Sequence, residues 1–174
     1  MFSDAKANIP VIQQSYKKMI ASGEGALGSN YRMTAAGHDI EFLVQSTQIP
    51  EHKREIVEGK GPRGVGFNQQ GNLKNAGDIT ISFKEVISGK SYTFIKKCIR
   101  EKLYLTWTLS LVCESNPEGN AATTFRVDDA WLDIDATDLS NDDGTQFVKP
   151  TGTLHYQWHS GLDEADKEVQ GMGN

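Results

Sequence analysis

A strict alternation of apolar and polar residues over residues 103–113 constrains the fold of this chain more than any other feature. Successive side chains of a β-strand point to opposite faces, so this alternation predicts a strand with one buried face. Residues 78–84 repeat the pattern. The apolar positions are Leu103, Leu105, Trp107, Leu109, Leu111 and Cys113 in the first segment, and Ile79, Ile81 and Phe83 in the second.

Weaker alternation predicts three further strands, over residues 39–45, 122–136 and 146–159. The apolar positions are Ile40, Phe42 and Val44 in the first of these, and Leu154, Tyr156 and Trp158 in the last.

Two segments carry apolar residues at helical spacing instead. Residues 9–21 predict a short amphipathic helix, in which Pro10 fits the first turn because that position needs no N–H. The segment SYTFIKKCIREK predicts a second helix, with Ser91 as its N-terminal cap. Its expected buried stripe consists of Phe94, Ile95, Cys98 and Ile99.

The order of a helix, strands, a helix and more strands predicts a mainly β protein. We expect an antiparallel β-sandwich or barrel with one packed helix and an additional N-terminal helix. The 174 residues suffice for one core. The expected organisation is an N-terminal arm over residues 1–30, a β domain over residues 31–160 and a polar C-terminal tail over residues 161–174.

Two polar segments stand apart from this scheme. Residues 50–76 form a long, glycine-rich insertion, which inside a compact domain is either functional or disordered. The second segment is acidic and is open to three interpretations: a solvated face with an NDDG turn, a calcium loop, or the wall of a negatively charged channel. The calcium loop lacks the required Gly and Glu positions. Its aspartates are Asp128, Asp129, Asp133, Asp135, Asp138, Asp142 and Asp143.

Composition and motifs argue against several function classes. A net charge of −5 disfavours a protein that binds the phosphate backbone of nucleic acids. The sequence has no bilayer-length apolar run and no secretory signal, so we expect folding in a cytoplasm. It lacks the GxSxG, P-loop, CxxC and HExxH motifs, so we expect neither an enzyme nor a cofactor.

The histidine and cysteine positions favour no metal site. On a strand, His155 and His159 would lie about 13 Å apart, too far to ligate one ion. Cys98 and Cys113 both fall on apolar faces and are expected to be reduced core residues. A disulfide between them would need an oxidising compartment.

The polar faces of the predicted strands are small and neutral rather than charged. The β propensity of threonine explains this in part. Alternatively, these faces meet neighbouring subunits or line a wetted passage, and ring closure would then remove exposed strand edges. The residues are Thr80, Ser82, Thr106, Thr108, Ser110, Thr153, His155 and Gln157.

In the order of their predicted elements and the composition of each segment, residues 31–160 resemble the tail tube proteins of contractile-tailed bacteriophages. The Hcp-like tube proteins of type VI secretion systems are similar to that family. The segment IPEHKREIVEGKG before a glycine-rich loop is similar to the family's strand-to-hairpin passage. AGDITISFKEV and SYTFIKKCIREK match its strand and helix. TTFRVDDAWLDIDATDL and TGTLHYQWHSG match its closing strands.

The resemblance implies a tail subunit of a virion, forming hexameric rings that stack into a hollow tube for genome delivery. It implies other copies, sheath and baseplate proteins as partners, DNA passing without specific binding, and no membrane. A hairpin over residues 51–75 would reach an adjacent ring, and residues 1–30 would add contacts. Ring-stacking candidates are Glu51, Lys53, Arg54, Glu55, Glu58, Lys60, Arg63 and Phe67; lumen or acidic-face candidates are Asp128, Asp129, Asp133 and Asp135.

Three alternatives remain at this point. The chain could form a secretion-system tube or act as a baseplate tube initiator. A monomeric ligand-binding β-barrel belongs to a different class and predicts an interior pocket. An enzyme would need a nucleophile–base pair or a metal constellation, and the sequence offers neither.

Overall fold

The computed structural model describes residues 9–23, 25–113, 116–117, 119, 123–140 and 144–162. Asp142, Asp143 and nearly all of the expected C-terminal tail lie outside these residues. The chain separates into two compact units, one up to Asn30 and one from Tyr31 onwards.

The first unit contains helix α1, Ile9–Ala21, which confirms the helix predicted over these residues. Pro10 lies in its first turn, as expected. Every residue of α1 is exposed, including the apolar Ile12, Tyr16 and Met19. The described residues of this unit therefore leave the apolar stripe of α1 exposed.

The second unit is built on an antiparallel sheet of seven strands. Its strand order is β1-β6-β7-β8-β5-β2, with β9 paired to β7. The strands are β1 (Tyr31–Ala35), β2 (Val44–Ser46), β5 (Gly77–Phe83), β6 (Leu105–Leu111), β7 (Thr124–Ile134), β8 (Thr151–Tyr156) and β9 (Trp158–His159). Two further strands, β3 (Arg54–Lys60) and β4 (Gly66–Leu73), form a separate hairpin.

The seven-stranded sheet curls into a nearly closed barrel. Its two edge strands are β1 and β2, and the Tyr31 hydroxyl donates a hydrogen bond to the Gln45 carbonyl at 2.5 Å. Arg32 next to Tyr31 pairs with Glu41 at 3.0 Å. Side chains therefore bridge the seam that no backbone ladder closes. The predicted fold class, a mainly β barrel-like sheet with two helices, is confirmed.

The core fills the concave side of this sheet, and helix α2 (Lys90–Arg100) packs on it. The strict alternation of β5, β6 and β8 places every second side chain in this core. Phe94 of α2 lies edge-on to Trp107, with ring centroids 6.0 Å apart. The buried side chains include Ile79, Ile81, Phe83, Phe94, Ile95, Cys98, Trp107, Leu109, Val127, Leu132, Leu154 and Tyr156.

The start of α2 differs from the prediction. Ser91 does not cap the helix; it lies inside the first turn, fully buried, and its hydroxyl donates to the Lys84 carbonyl at 2.7 Å. The Glu85 carboxylate accepts instead from the backbone N–H groups of Val86, Ser91 and Tyr92. A carboxylate five residues before the helix therefore satisfies two of the free amides of the helix start, those of Ser91 and Tyr92.

Several positions on the predicted strands differ as well. Residues 41–43 form a 3-10 turn rather than a strand, which leaves Phe42 86% exposed. Strand β1, which is not among the predicted strands, pairs with β6 and buries Met33 and Ala35, the apolar positions of a short alternating segment. The chain bends at Gln157, between β8 and β9, so Trp158 does not continue the buried face. Ile99, on the flank of α2, is also exposed.

Cys113 is a further correction to the predicted core. It lies beyond the end of β6 and is exposed, whereas Cys98 is buried in α2. Neither cysteine forms a disulfide. Burial raises the pKa of Cys98 to about 11, so this thiol stays protonated and unreactive near neutral pH.

Candidate assembly surface

The hairpin β3–β4 is a two-stranded sheet of its own, separate from the barrel strands. Val57 pairs with Gln69 and Gly59 pairs with Phe67 in its antiparallel register. Its tip turns through Arg63 and Gly64, both with positive φ, and the Gly61 N–H donates to the Val65 carbonyl at 2.6 Å. The segment predicted as a long polar insertion is thus an ordered ribbon.

Apolar side chains are exposed along this ribbon. Ile56 is 71% exposed and Phe67 is 52% exposed. A two-stranded hairpin is marginally stable by itself in water, and exposed apolar residues in a row mark an interaction surface. The exposed apolar residues of the hairpin are Ile56, Val57, Val65, Phe67 and Leu73.

Glycines let the large side chains of the ribbon lie flat on the facing strand. A Cβ on Gly59 would stand 2.3 Å from the ring of Phe67, and one on Gly71 would stand 2.8 Å from Val57. The glycines of β3 and β4 therefore fix where these two apolar side chains rest.

An ion triad holds the root of the hairpin. The Glu51 carboxylate pairs with Lys53 at 2.5 Å and with Lys74 at 2.6 Å, joining the chain that enters β3 to the chain that leaves β4. The hydrogen bond from Lys53, followed by that from Lys74, lowers the pKa of Glu51. The same contact with Glu51 raises the pKa of Lys74.

Further contacts join the root to the end of the barrel. The Asn75 side chain donates to the Gln157 carbonyl at 2.9 Å. The His52 ring lies edge-on to the ring of His159, with centroids 4.6 Å apart. His52 also packs closely on Gly161, where an added Cβ would stand 2.0 Å from the Nε2 atom of His52. A cleft of about 640 Å³ opens here between the hairpin strands and Gly161.

The ring-stacking candidates divide between the root and the ribbon. Glu51 and Lys53 lie at the root and pair with each other. Arg54 begins β3 and donates to the Gly71 carbonyl at 3.3 Å. The remaining candidates, Glu55, Glu58, Lys60, Arg63 and Phe67, lie along the ribbon or at its tip and are exposed.

The acidic candidates occupy different places on β7. Asp128 accepts from Thr106 at 2.9 Å and pairs with Arg126 at 3.0 Å. Asp129 follows at a β-bulge with φ 50°, a conformation that aspartate tolerates better than most residues. Asp135 is exposed just beyond the end of β7.

Asp133 belongs to a cluster that crosses three strands. His155 on β8 lies between Asp78 of β5, at 2.6 Å, and Asp133 of β7, at 3.2 Å. Its ring stacks on Trp131 with centroids 5.1 Å apart. Sequence spacing gave no sign of this cluster, because its members meet only through the strand order.

Two of the neutral polar strand residues are covered within the subunit itself. Ser82 contacts the Ser46 hydroxyl at 2.5 Å, and Ser110 contacts the Thr124 hydroxyl at 3.0 Å. Both serines are buried. Where residues are described, no three His, Cys, Asp or Glu side chains are arranged to hold one metal ion, since Asp78 and Asp133 contact opposite nitrogens of His155. No helix of the described residues combines the length and apolarity of a membrane span.

Solved structures of contractile injection systems share this fold. The tube-terminating cap of the anti-feeding prophage matches with a TM-score of 0.63 at 16% identity, over 79% of this chain and 90% of that one. A chain of the PVC sheath–tube complex, from an extracellular contractile injection system, gives 0.63 at 14% identity, over 82% and 94%.

The sheath/tube terminator of the same PVC system gives a TM-score of 0.62 at 15% identity, over 78% of this chain and 95% of that one. No protein-family model and no curated protein matches the sequence. The fold that the sequence resemblance implied is therefore confirmed, and at these identities the likeness concerns the fold.

Proposed function

We propose that this chain is a structural subunit of the tube of a phage-tail-like contractile machine. Copies assemble into hexameric rings, and the rings stack into a hollow conduit. The observation that carries the proposal is a free-standing hairpin with exposed apolar side chains, on a fold shared with tube and cap components. The subunit binds other copies and performs no bond-making chemistry.

The hairpin supplies the contact between rings. Both outer edges of the two-stranded sheet are available for a neighbouring strand, and Ile56 and Phe67 lose their exposure when a second copy covers them. The charges of Glu58, Lys60 and Arg63 lie around this apolar strip and set the register of the contact. Exposed ion pairs contribute little energy, so burial of the apolar side chains drives the stacking.

The root of the hairpin transmits that contact to the barrel. The Glu51 triad and the Asn75–Gln157 hydrogen bond fix the ribbon at the point where it leaves the sheet. A fixed root orders the ribbon before assembly and lowers the conformational entropy lost on docking. Residues 1–30 add contacts between copies, where the exposed apolar stripe of α1 becomes covered.

Transported material moves through the lumen without sticking to its wall. The acidic candidates Asp128, Asp129, Asp133 and Asp135 face or flank this passage, so a polyanion such as DNA is repelled rather than bound. In a virion tail the transported material is the genome, and assembly takes place in the host cytoplasm. Sheath and baseplate proteins are the outer partners, and the injection-system neighbours favour a secretion tube or terminator as the closest alternative role.

A monomeric ligand-binding barrel is the second candidate, and the core disfavours it. Trp107, Tyr156 and Phe83 are among the largest fully buried side chains and occupy the space that a ligand would need. Three clefts lined by described residues lie at the hairpin and along α2.

Electron microscopy of the purified protein tests the proposal. Rings or hollow tubes are expected, while a uniform monomer at high concentration would favour the ligand-binding barrel. Deleting residues 58–70 removes most of the ribbon but leaves the barrel strands, so the variant should fold and fail to stack. Circular dichroism and thermal melting check the folding, and tubes of wild-type length from this variant would contradict the proposal.

A further inference from the structure

Helix α2 carries a basic stripe on the face that points away from the core. Its buried face consists of Ser91, Phe94, Ile95 and Cys98. The solvent side of the helix presents exposed cations at positions i, i+7 and i+10, with one more beside them; the first, Lys90, lies at the border with the buried face. We call this surface the basic stripe; it consists of Lys90, Lys96, Lys97 and Arg100.

The stripe opposes the charge of the rest of the chain. The protein has a net charge of −5, yet residues 90–102 contain five basic residues and one acidic residue. Within the described part of the chain, Lys90 of the stripe forms an ion pair with Asp39 at 2.9 Å. Lys96, Lys97 and Arg100 therefore project into solvent with no acidic partner at salt-bridge distance among the residues that the structure describes.

Helix stability by itself does not explain the stripe. Lys97 and Arg100 lie in the last turn of α2, where cations interact favourably with the helix dipole. Lys90 lies in the first turn, where a cation is unfavourable, and Lys96 adds charge between the two ends. Basic residues along the whole helix indicate a surface shaped for a ligand of opposite charge.

The shape and composition of the stripe fit a protein segment. It extends over about 15 Å, the length of an 11-residue helix. A cleft of about 540 Å³ is lined by three cations of the stripe, Thr93 and one acid, Glu101. Another of about 520 Å³ lies between Lys97 and Ile40, where Asp39 is paired with Lys90. Ile99, which is 47% exposed, adds an apolar contact beside Lys96 at the edge of the stripe.

We propose that the basic stripe of α2 is a docking surface for a protein segment with an acidic face. A nucleic acid fits less well: the net charge of the chain repels a dense polyanion, and aromatic residues that would stack on bases are absent from the stripe. An acidic helix of two to three turns offers a lower charge density than a nucleic acid, and apolar atoms that contact Ile99. This surface is separate from the hairpin, so the inference stands or falls independently of ring stacking.

Fluorescence anisotropy with labelled poly-L-glutamate tests the docking surface on the full chain. The wild type should bind this probe with an affinity that falls as salt increases. The double variant Lys96→Glu and Arg100→Glu should weaken binding by about tenfold or more, because two attractive charges are replaced by two that repel the probe. Amide exchange should show protection of residues 90–102 by the probe in the wild type.

A matched control separates the stripe from overall charge. The variant Lys84→Glu and Lys149→Glu changes the net charge equally but lies outside both the stripe and the hairpin, and its affinity should stay within about twofold of wild type. Thermal melting confirms that each variant folds. Equal weakening of both variants would overturn the inference, as would tighter binding of a DNA duplex than of poly-L-glutamate.

Discussion

At the scale of single residues, Glu51 shows how one carboxylate orders a whole ribbon. Its hydrogen bonds to Lys53 and Lys74 join the two chains at the hairpin root and lower its pKa. A carboxyl group whose pKa is lower in the folded state stabilises that state above its unfolded pKa. The contribution disappears as the pH falls through the folded value.

We therefore expect the hairpin to open more readily below about pH 4.5, the ordinary pKa of a glutamate side chain. Amide exchange of β3 and β4, corrected for the intrinsic pH dependence of exchange, should show a few-fold loss of protection on acidification. In the variant Glu51→Gln, the protection of β3 and β4 at neutral pH should already be as low as that of the acidified wild type, and it should no longer depend on pH. An unchanged pH profile in the variant would show that Glu51 does not hold the root.

At the scale of elements, α2 depends on a carboxylate outside the helix. Glu85 accepts hydrogen bonds from two backbone N–H groups in the first turn of α2, those of Ser91 at 3.1 Å and Tyr92 at 2.8 Å. Gly89 occupies the N-cap position with φ 70° and contributes no side chain to this role. The helix that covers the core is therefore held by a residue that precedes it by five positions.

Replacing Glu85 with Ala should destabilise the protein by about 1–2 kcal/mol, because the helix start loses its side-chain acceptor. Urea unfolding followed by circular dichroism measures the change. The variant Glu58→Ala, on the exposed ribbon, is the control and should stay within about 0.5 kcal/mol of wild type. Equal stability of the Glu85 variant and this control would refute the capping role.

At the scale of the whole molecule, the barrel is closed by side chains rather than by a continuous ladder. The hydrogen bond from Tyr31 to the Gln45 carbonyl spans the seam between β1 and β2, and burial raises the pKa of the Tyr31 hydroxyl. The phenol therefore stays protonated, and remains a donor, well above neutral pH.

Removing this donor in Tyr31→Phe should cost about 1 kcal/mol, because the carbonyl loses its partner while the ring still packs. The loss should appear as faster amide exchange in β1 and β2, with the centre of the sheet unchanged. The control is Tyr104→Phe, which removes an exposed phenol hydroxyl from the residue just before β6. Uniform loss of protection across all strands would show that the seam is not a local closure.

The sequence by itself determined the elements whose periodicity is set by a single buried face. The alternation in β5, β6 and β8 and the helical stripe of α1 predicted these elements because side-chain direction follows backbone geometry. The same reasoning was wrong at Phe42, Cys113 and Ile99. Periodicity assigns a face to each of these residues but does not say whether another element covers it.

Only the tertiary structure decided which distant residues meet. The His155 cluster, the Glu51 triad and the capping of α2 by Glu85 join residues through strand order and chain reversal, which no local pattern encodes. The ordered state of residues 54–73 was decided in the same way, since pairing between β3 and β4 converts a polar, glycine-rich sequence into a ribbon. Contacts of this kind depend on the positions of several elements at once, so they are properties of the folded chain.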